Sequence, residues 1–165
     1  MYKRLELHNH TNESDAVFTC KELTDFMVAD QVDAFALTDH NTISGHCKIK
    51  NYLKEHPQPI DFIPGMEYTT YYGHILCLNL TEYVPWENIN RHNPELLFRA
   101  AREKGALVGV AHPYSFGWPF AQGCRFEMTI TDYSCCDFIE IFNNPEPPFG
   151  TEHHLPIRTR NVGHR

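Results

Sequence analysis

No CxxC pair occurs in this sequence, no apolar stretch reaches the length of a membrane span, positive charge is in deficit, and neither an internal repeat nor a low-complexity segment is present. Each absence narrows the reading. The six cysteines (Cys20, Cys47, Cys77, Cys124, Cys135 and Cys136) are scattered through apolar or amphipathic segments, with no secretory apolar region ahead of them. Reduced, buried thiols in a cytoplasmic protein are therefore expected rather than a disulfide framework. Without a spanning run the chain is expected to be soluble and to need no membrane. A formal charge of -7 argues against bulk electrostatic binding of nucleic acid. Bound metal ions would invert the sign of a local cleft, so the acidity says little about a phosphorylated substrate. A chain of 165 residues buries a core without covalent staples, and one domain is the default.

Histidine is what the sequence has in quantity: eleven, and their positions carry more than their number. The segment LELHNHTNESDA (5–16) ends an apolar run in His-x-His. Side chains two apart on a strand share a face, so His8 and His10 converge on one point. Taken alone the pair is more often a strand end with surface histidines than a metal site.

The rest of the chain alternates strand-like and helical segments. TCKELTDFMVADQ (19–31) pairs Thr19 with Glu22 as a capping box, and Leu23, Phe26 and Met27 recur at helical spacing. VDAFALTDH (32–40) is a short buried strand ending in polar residues, and GHCKIKNYLKEH (45–56) a more polar helix closed by Pro57. IDFIPGMEYTT (60–70) and YGHILCLNL (72–80) are two adjacent strands. NPELLFRAAREKG (93–105) is a helix with Asn93 as cap, Pro94 in the first turn, Gly105 as stop, and Leu96, Leu97 and Ala100 as its core face. ALVGVAHP (106–113) and DFIEIFNNP (137–145) complete the strands. This order predicts an α/β fold with a parallel sheet of βα units, in which functional groups gather at the carboxyl ends of the strands. His8, His10, Asp39, His40, Glu67 and His112 obey that rule, while His74 departs from it by starting its strand. Imidazole and carboxylate together suit Zn²⁺, Mn²⁺ or Fe²⁺, and Glu67 is the carboxylate placed to bridge two ions. Ions so held acidify a bound water to hydroxide, the nucleophile for a phosphoryl centre.

LHNHTNESDA, ALTDHNT, IPGMEYTTYYGH, LVGVAHP and DFIEIFNN, in that order, resemble the PHP (polymerase and histidinol phosphatase) domain family, in its branch of small metal-dependent phosphoesterases. The resemblance covers residues 1–144 and implies a distorted β/α barrel with up to three divalent ions. It assigns His8 and His10 to the first ion, Asp15 and His40 to the second, Glu67 to the bridge, and His74 and His112 to the third. Glu67, Asp15 and His40 are the expected catalytic residues. Asp39 is expected to orient a ligand histidine, whereas Asn9 and Glu13 are read as solvent-facing. His46, His56 and His92 are read as surface residues, and Asn143 and Asn144 as turn residues. Tyr114, Phe116, Trp118 and Phe120 either wall the cleft or form a satellite apolar cluster.

The family's closing Asp-x-His segment is missing after Asn144, so the barrel reads as C-terminally truncated or incomplete. Residues 145–165 read as an irregular arm, and His153, His154 and His164 as exposed tail histidines that stand where replacement ligands would be sought. An open barrel leaves the DFIEIF strand with a free edge, from which a homo-oligomer is expected. The expected activity is hydrolysis of a small phosphorylated molecule or nucleotide by metal-bound hydroxide. The alternative is a catalytically incomplete metal-binding fragment or non-enzymatic binding module. A metal-dependent amide hydrolase would more usually place a bridging lysine at a strand end, and none is so placed.

Overall fold

The computed structural model describes residues 2–113 and 126–141. Six strands form one curled sheet in sequence order: β1 (Leu5–Glu6), β2 (Ala34–Leu37), β3 (Asp61–Thr70), β4 (Gly73–Leu78), β5 (Leu107–Val110) and β6 (Phe138–Ile139). Helices α1 (Cys20–Ala29) and α2 (Gly45–Glu55) connect β1 to β2 and β2 to β3, and α3 (Glu95–Glu103) lies between β4 and β5. The aromatic positions Tyr114, Phe116, Trp118 and Phe120, the pair Asn143 and Asn144, and the arm with His153, His154 and His164 lie outside the described residues.

Parallel pairing holds for β1–β2, β2–β3 and β5–β6, but β4 runs antiparallel to both β3 and β5. The expectation of a wholly parallel sheet is thereby corrected. Only Tyr71 and Tyr72 separate Thr70 from its partner Gly73, and so short a connection can form a hairpin but not a crossover. Thr70 donates from Oγ1 to the Gly73 carbonyl at 2.7 Å and accepts the Tyr72 N–H at 3.1 Å, which closes the turn. Reversal of β4 brings its first residues beside the last residues of β3.

Among the described residues an apolar layer lies under the helices on each flank of the sheet, and Ala36, Leu76, Leu78 and Ala111 form a third buried cluster. Under α1 and α2, Leu23, Met27, Phe35, Leu37 and Ile49 are buried together. The Thr19–Glu22 capping box forms as its sequence predicts, satisfying N–H groups that the helix leaves open. Under α3, Leu97, Phe98 and Ala101 pack with Met66, Tyr68, Ile75, Cys77, Val108 and Val110. The buried face of α3 is thus rotated one position from the expected Leu96, Leu97 and Ala100, with Leu96 exposed, because the bulkiest side chain, Phe98, takes the core. Asn93 does not cap α3. Its Oδ1 accepts the Asn90 N–H at 2.6 Å, and Pro94 holds the cap position without a side-chain bond. Gly105 has φ +84, the left-handed stop the sequence implies.

The curl decides the site. His8 follows β1 and Glu140 follows β6, at opposite ends of the strand order, yet His8 Nδ1 lies 3.1 Å from Glu140 Oε1. The sheet is rolled so that residues following its two edge strands meet on the side where the parallel strands end.

Candidate metal centre

Strand β3 overruns its neighbour. Its pairing with β2 stops at Pro64, opposite Leu37, and Glu67 continues beyond to bridge the chain at His40. The Glu67 N–H reaches the Thr38 and Asp39 carbonyls at 3.2 and 3.3 Å, and the Asn41 N–H reaches the Glu67 carbonyl at 3.0 Å. Gly65 makes this fit possible: a Cβ there would stand 2.7 Å from the Cys77 carbonyl oxygen and 2.9 Å from Thr38 Cγ2. A fully buried carboxylate is thus fixed at the centre of the mouth.

Five imidazoles surround it. Oxygen Oε2 of Glu67 faces His8 Nε2 at 2.9 Å, His10 Nε2 at 3.2 Å and His40 Nδ1 at 3.3 Å. Oxygen Oε1 faces His74 Nδ1 at 2.8 Å and His112 Nε2 at 2.9 Å. His74, the exception to the strand-end pattern, reaches the same place because β4 runs the other way. Asp15 stands at the rim with a 64% exposed side chain, 3.4 Å from His40 Nε2 and 3.8 Å from His10 Nδ1. All seven residues expected as ligands are therefore brought together.

Burial alone would raise the Glu67 carboxyl, but charge on His8 and hydrogen bonds from His10, His112 and His74 hold it well below the usual carboxylate range. At His8 burial disfavours the cation, yet Glu67 and Glu140 outweigh it and lift the imidazole to about 10. Burial wins at His10, whose proton affinity falls. A hydrogen bond from His40 holds Asp15 down to about 2.

This donor set fits divalent metal. Three overlapping groups have ligand atoms close enough to share an ion: His8, His10 and Glu67; His10, Asp15 and His40; His40, Glu67 and His74. His10 Nδ1 is buried without a hydrogen-bond partner, a state that costs free energy unless another acceptor of its lone pair arrives. Imidazole with carboxylate is the ligand chemistry of Zn²⁺, Mn²⁺ and Fe²⁺. A PHP domain family model matches residues 6–112, the stretch that carries all seven of these residues. The chain belongs to the PHP domain family.

The chain is also similar to individual proteins of known sequence or structure. An uncharacterised protein of Methanocaldococcus jannaschii is 29% identical over 151 residues, covering 85% of this chain and 81% of that protein. A 5'-3' exoribonuclease of Haemophilus influenzae is 35% identical over 146 residues, covering 81% of this chain but 50% of the relative, so this PHP chain spans half of its length. Among solved structures, a two-domain Bacteroides vulgatus protein containing a predicted PHP-like metal-dependent phosphoesterase superposes with a TM-score of 0.59 at 22% identity. It covers 71% of this chain and 39% of that one, and supports the fold.

Other sequence expectations are corrected. Asp39 does not orient a ligand histidine: its oxygens accept the Thr11 N–H and hydroxyl, each at 2.7 Å, and the Ser14 hydroxyl at 2.6 Å. These bonds hold the loop that presents Asp15. Asn9 is buried, not solvent-facing, and donates through Nδ2 to the Glu6 and Ala36 carbonyls, both at 3.0 Å, which fixes the backbone between the two histidines of His-x-His. His46 is buried, with Nε2 2.8 Å from the Gly65 carbonyl, and so helps seat the β3 segment bearing Glu67. Two contacts to site histidines escaped sequence reasoning altogether. Thr69 Oγ1 meets His40 Nδ1, and Glu140 meets His8. Glu140 follows β6, so the strand-end rule applied to that strand would have found it.

Proposed function

We propose that this PHP domain is a metal-dependent phosphoesterase acting on a small phosphorylated molecule or nucleotide. The observation that carries this reading is the division of one buried carboxylate between two imidazole sets, three facing Oε2 and two facing Oε1. A carboxylate so flanked is built to neutralise and separate adjacent cations. His8 and His10 would hold the first ion, Asp15 and His40 the second, His74 and His112 the third, with Glu67 between them. Bound divalent ions supply Lewis acidity and an acidified water at a phosphoryl centre. The protein's own share is orientation and charge: Glu67 stays anionic at any physiological pH, and Asp15 stays anionic at the exposed rim, next to His40 Nε2. Kinship with an exoribonuclease supports a nucleotide phosphoester among the candidate substrates.

The second reading is a metal-binding domain that is catalytically incomplete. It is favoured by the His10, Asp15, His40 group, whose one carboxylate lies mostly in solvent. Reconstitution with Mn²⁺ or Zn²⁺, elemental analysis and steady-state phosphoester hydrolysis separate the two. Metal with turnover supports the phosphoesterase, metal without turnover supports the second reading, and less than about one ion per chain overturns both.

A further inference from the structure

Glu140 occupies a position that neither the metal ligands nor the hydrophobic layers require. Its side chain is 9% exposed, and both oxygens are engaged. They lie 3.1 and 3.2 Å from His8 Nδ1, and Oε2 also accepts the His112 backbone N–H at 2.9 Å. The Glu140 N–H itself bonds the Val110 carbonyl at 2.9 Å, which anchors the residue beside β5. His112 sits at φ +26, a sparsely allowed conformation for a residue with a side chain. It persists only where its surroundings over-determine it, and the bond to Glu140 is one such constraint. The His8 and His112 rings lie 18° from parallel with centroids 5.7 Å apart, and their far nitrogens address different oxygens of Glu67.

We infer that Glu140 is a positioning residue of the metal centre: one carboxylate fixes the tautomer and ring direction of His8 and the backbone of His112, and so registers the donors on both sides of Glu67. The inference rests on the metal-centre reading of the same site. Its physical reason is the two-faced chemistry of imidazole. A carboxylate can only accept at Nδ1, so His8 keeps its proton there and leaves the Nε2 lone pair for an ion, and such outer partners typically change metal affinity about 10–100-fold. An amide in the same place weakens that hold: its one carbonyl oxygen would have to serve both the His112 N–H and His8 Nδ1–H, while its NH₂ competes for the same nitrogen and favours the tautomer protonated at Nε2, where the proton blocks the ligand atom.

The test uses the full chain as wild type and Glu140→Gln, titrated with Co²⁺ and followed by visible absorption, together with histidine ¹⁵N spectra of the Zn²⁺-loaded wild type. Glu140→Gln is expected to bind at least one Co²⁺ about tenfold or more weakly, with an altered absorption band, while its far-ultraviolet circular dichroism matches wild type. Wild-type spectra are expected to show His8 protonated at Nδ1 and metal-bound at Nε2, a measurement that stands even if the variant does not fold. Equal Co²⁺ affinity and spectrum in a folded Glu140→Gln, or His8 binding Zn²⁺ through Nδ1, overturns the role of Glu140 and leaves the metal centre intact. A wild type that takes up neither ion overturns the metal centre itself and the role of Glu140 with it.

Discussion

The two flanks of β3 serve the same carboxylate by different means. On one side, β1 and β2 run parallel to β3 and deliver His8, His10 and His40 to Glu67 Oε2 from beyond their carboxyl ends. On the other, β4 runs backward and delivers His74 to Oε1 from its second residue, and β5 delivers His112 through a backbone in the positive-φ region. The first flank obtains its donors from a regular feature of parallel sheets, repeated at each strand. On the second, His112 also follows the carboxyl end of its strand, with a positive-φ backbone, and only His74 depends on the hairpin that reverses β4. Each flank has its own apolar layer, so helix packing is separable from donor placement.

Replacing the shared group breaks the comparison most severely. Glu67→Gln keeps the shape but cannot balance cations on both flanks, and under the phosphoesterase reading hydrolysis is expected to fall by about 10²–10³-fold, as for other losses of transition-state electrostatics. Steady-state kinetics beside a melting curve checks this; a folded variant turning over near the wild-type rate removes Glu67 from the site. Single-flank changes come next. His8→Ala and His74→Ala are each expected to lower metal content by about one ion, whereas His92→Ala, on the exposed surface, leaves it unchanged. Elemental analysis decides: loss of all metal from either variant would show that the flanks form one indivisible centre.

A pH series sharpens the same contrast in metal-free protein. Burial opposes charge on His8, but Glu67 and Glu140 raise it to about 10 from an ordinary 6.5. The folded state therefore binds the proton more tightly than the unfolded state does, and the resulting stability is complete below about pH 6.5 and lost as pH rises through about 10. Melts in the presence of a chelator should fall over that window. Saturating Mn²⁺ should oppose the fall, because the ion competes with the proton for His8 and gains as pH rises. A flat profile in chelator would contradict the charge assigned to His8. The smallest expected effect lies far from the centre: Thr19→Ala removes the α1 capping box and should cost about 1 kcal/mol in denaturant unfolding with metal content unchanged.

Local chemistry was enough to read most of the parallel flank. Thr19 and Glu22 define the start of α1, His-x-His gives two donors on one side of a chain, and the polar residues at each strand end mark the mouth. All of these depend on neighbours within a few residues, which is what a linear pattern records. His74 was legible as a histidine but not as a member of the strand-end set, since strand direction is settled by pairing. The buried face of α3 slipped by one position because Leu96 and Phe98 are both apolar, and only the cavity beneath them chooses between the two.

By itself the sequence determined the α/β class, the helices and the His-x-His pair, and its resemblance to the PHP family supplied the expectation of the seven residues that meet at the mouth. Tertiary structure alone decided that β4 is reversed, that Asp39 secures a loop instead of a histidine, that His46 and Asn9 are buried, and that Glu140 joins His8 to His112. The reason is distance along the chain. His8 and Glu140 are separated by 132 positions and stand at opposite ends of the strand order, and they meet only because the sheet curls.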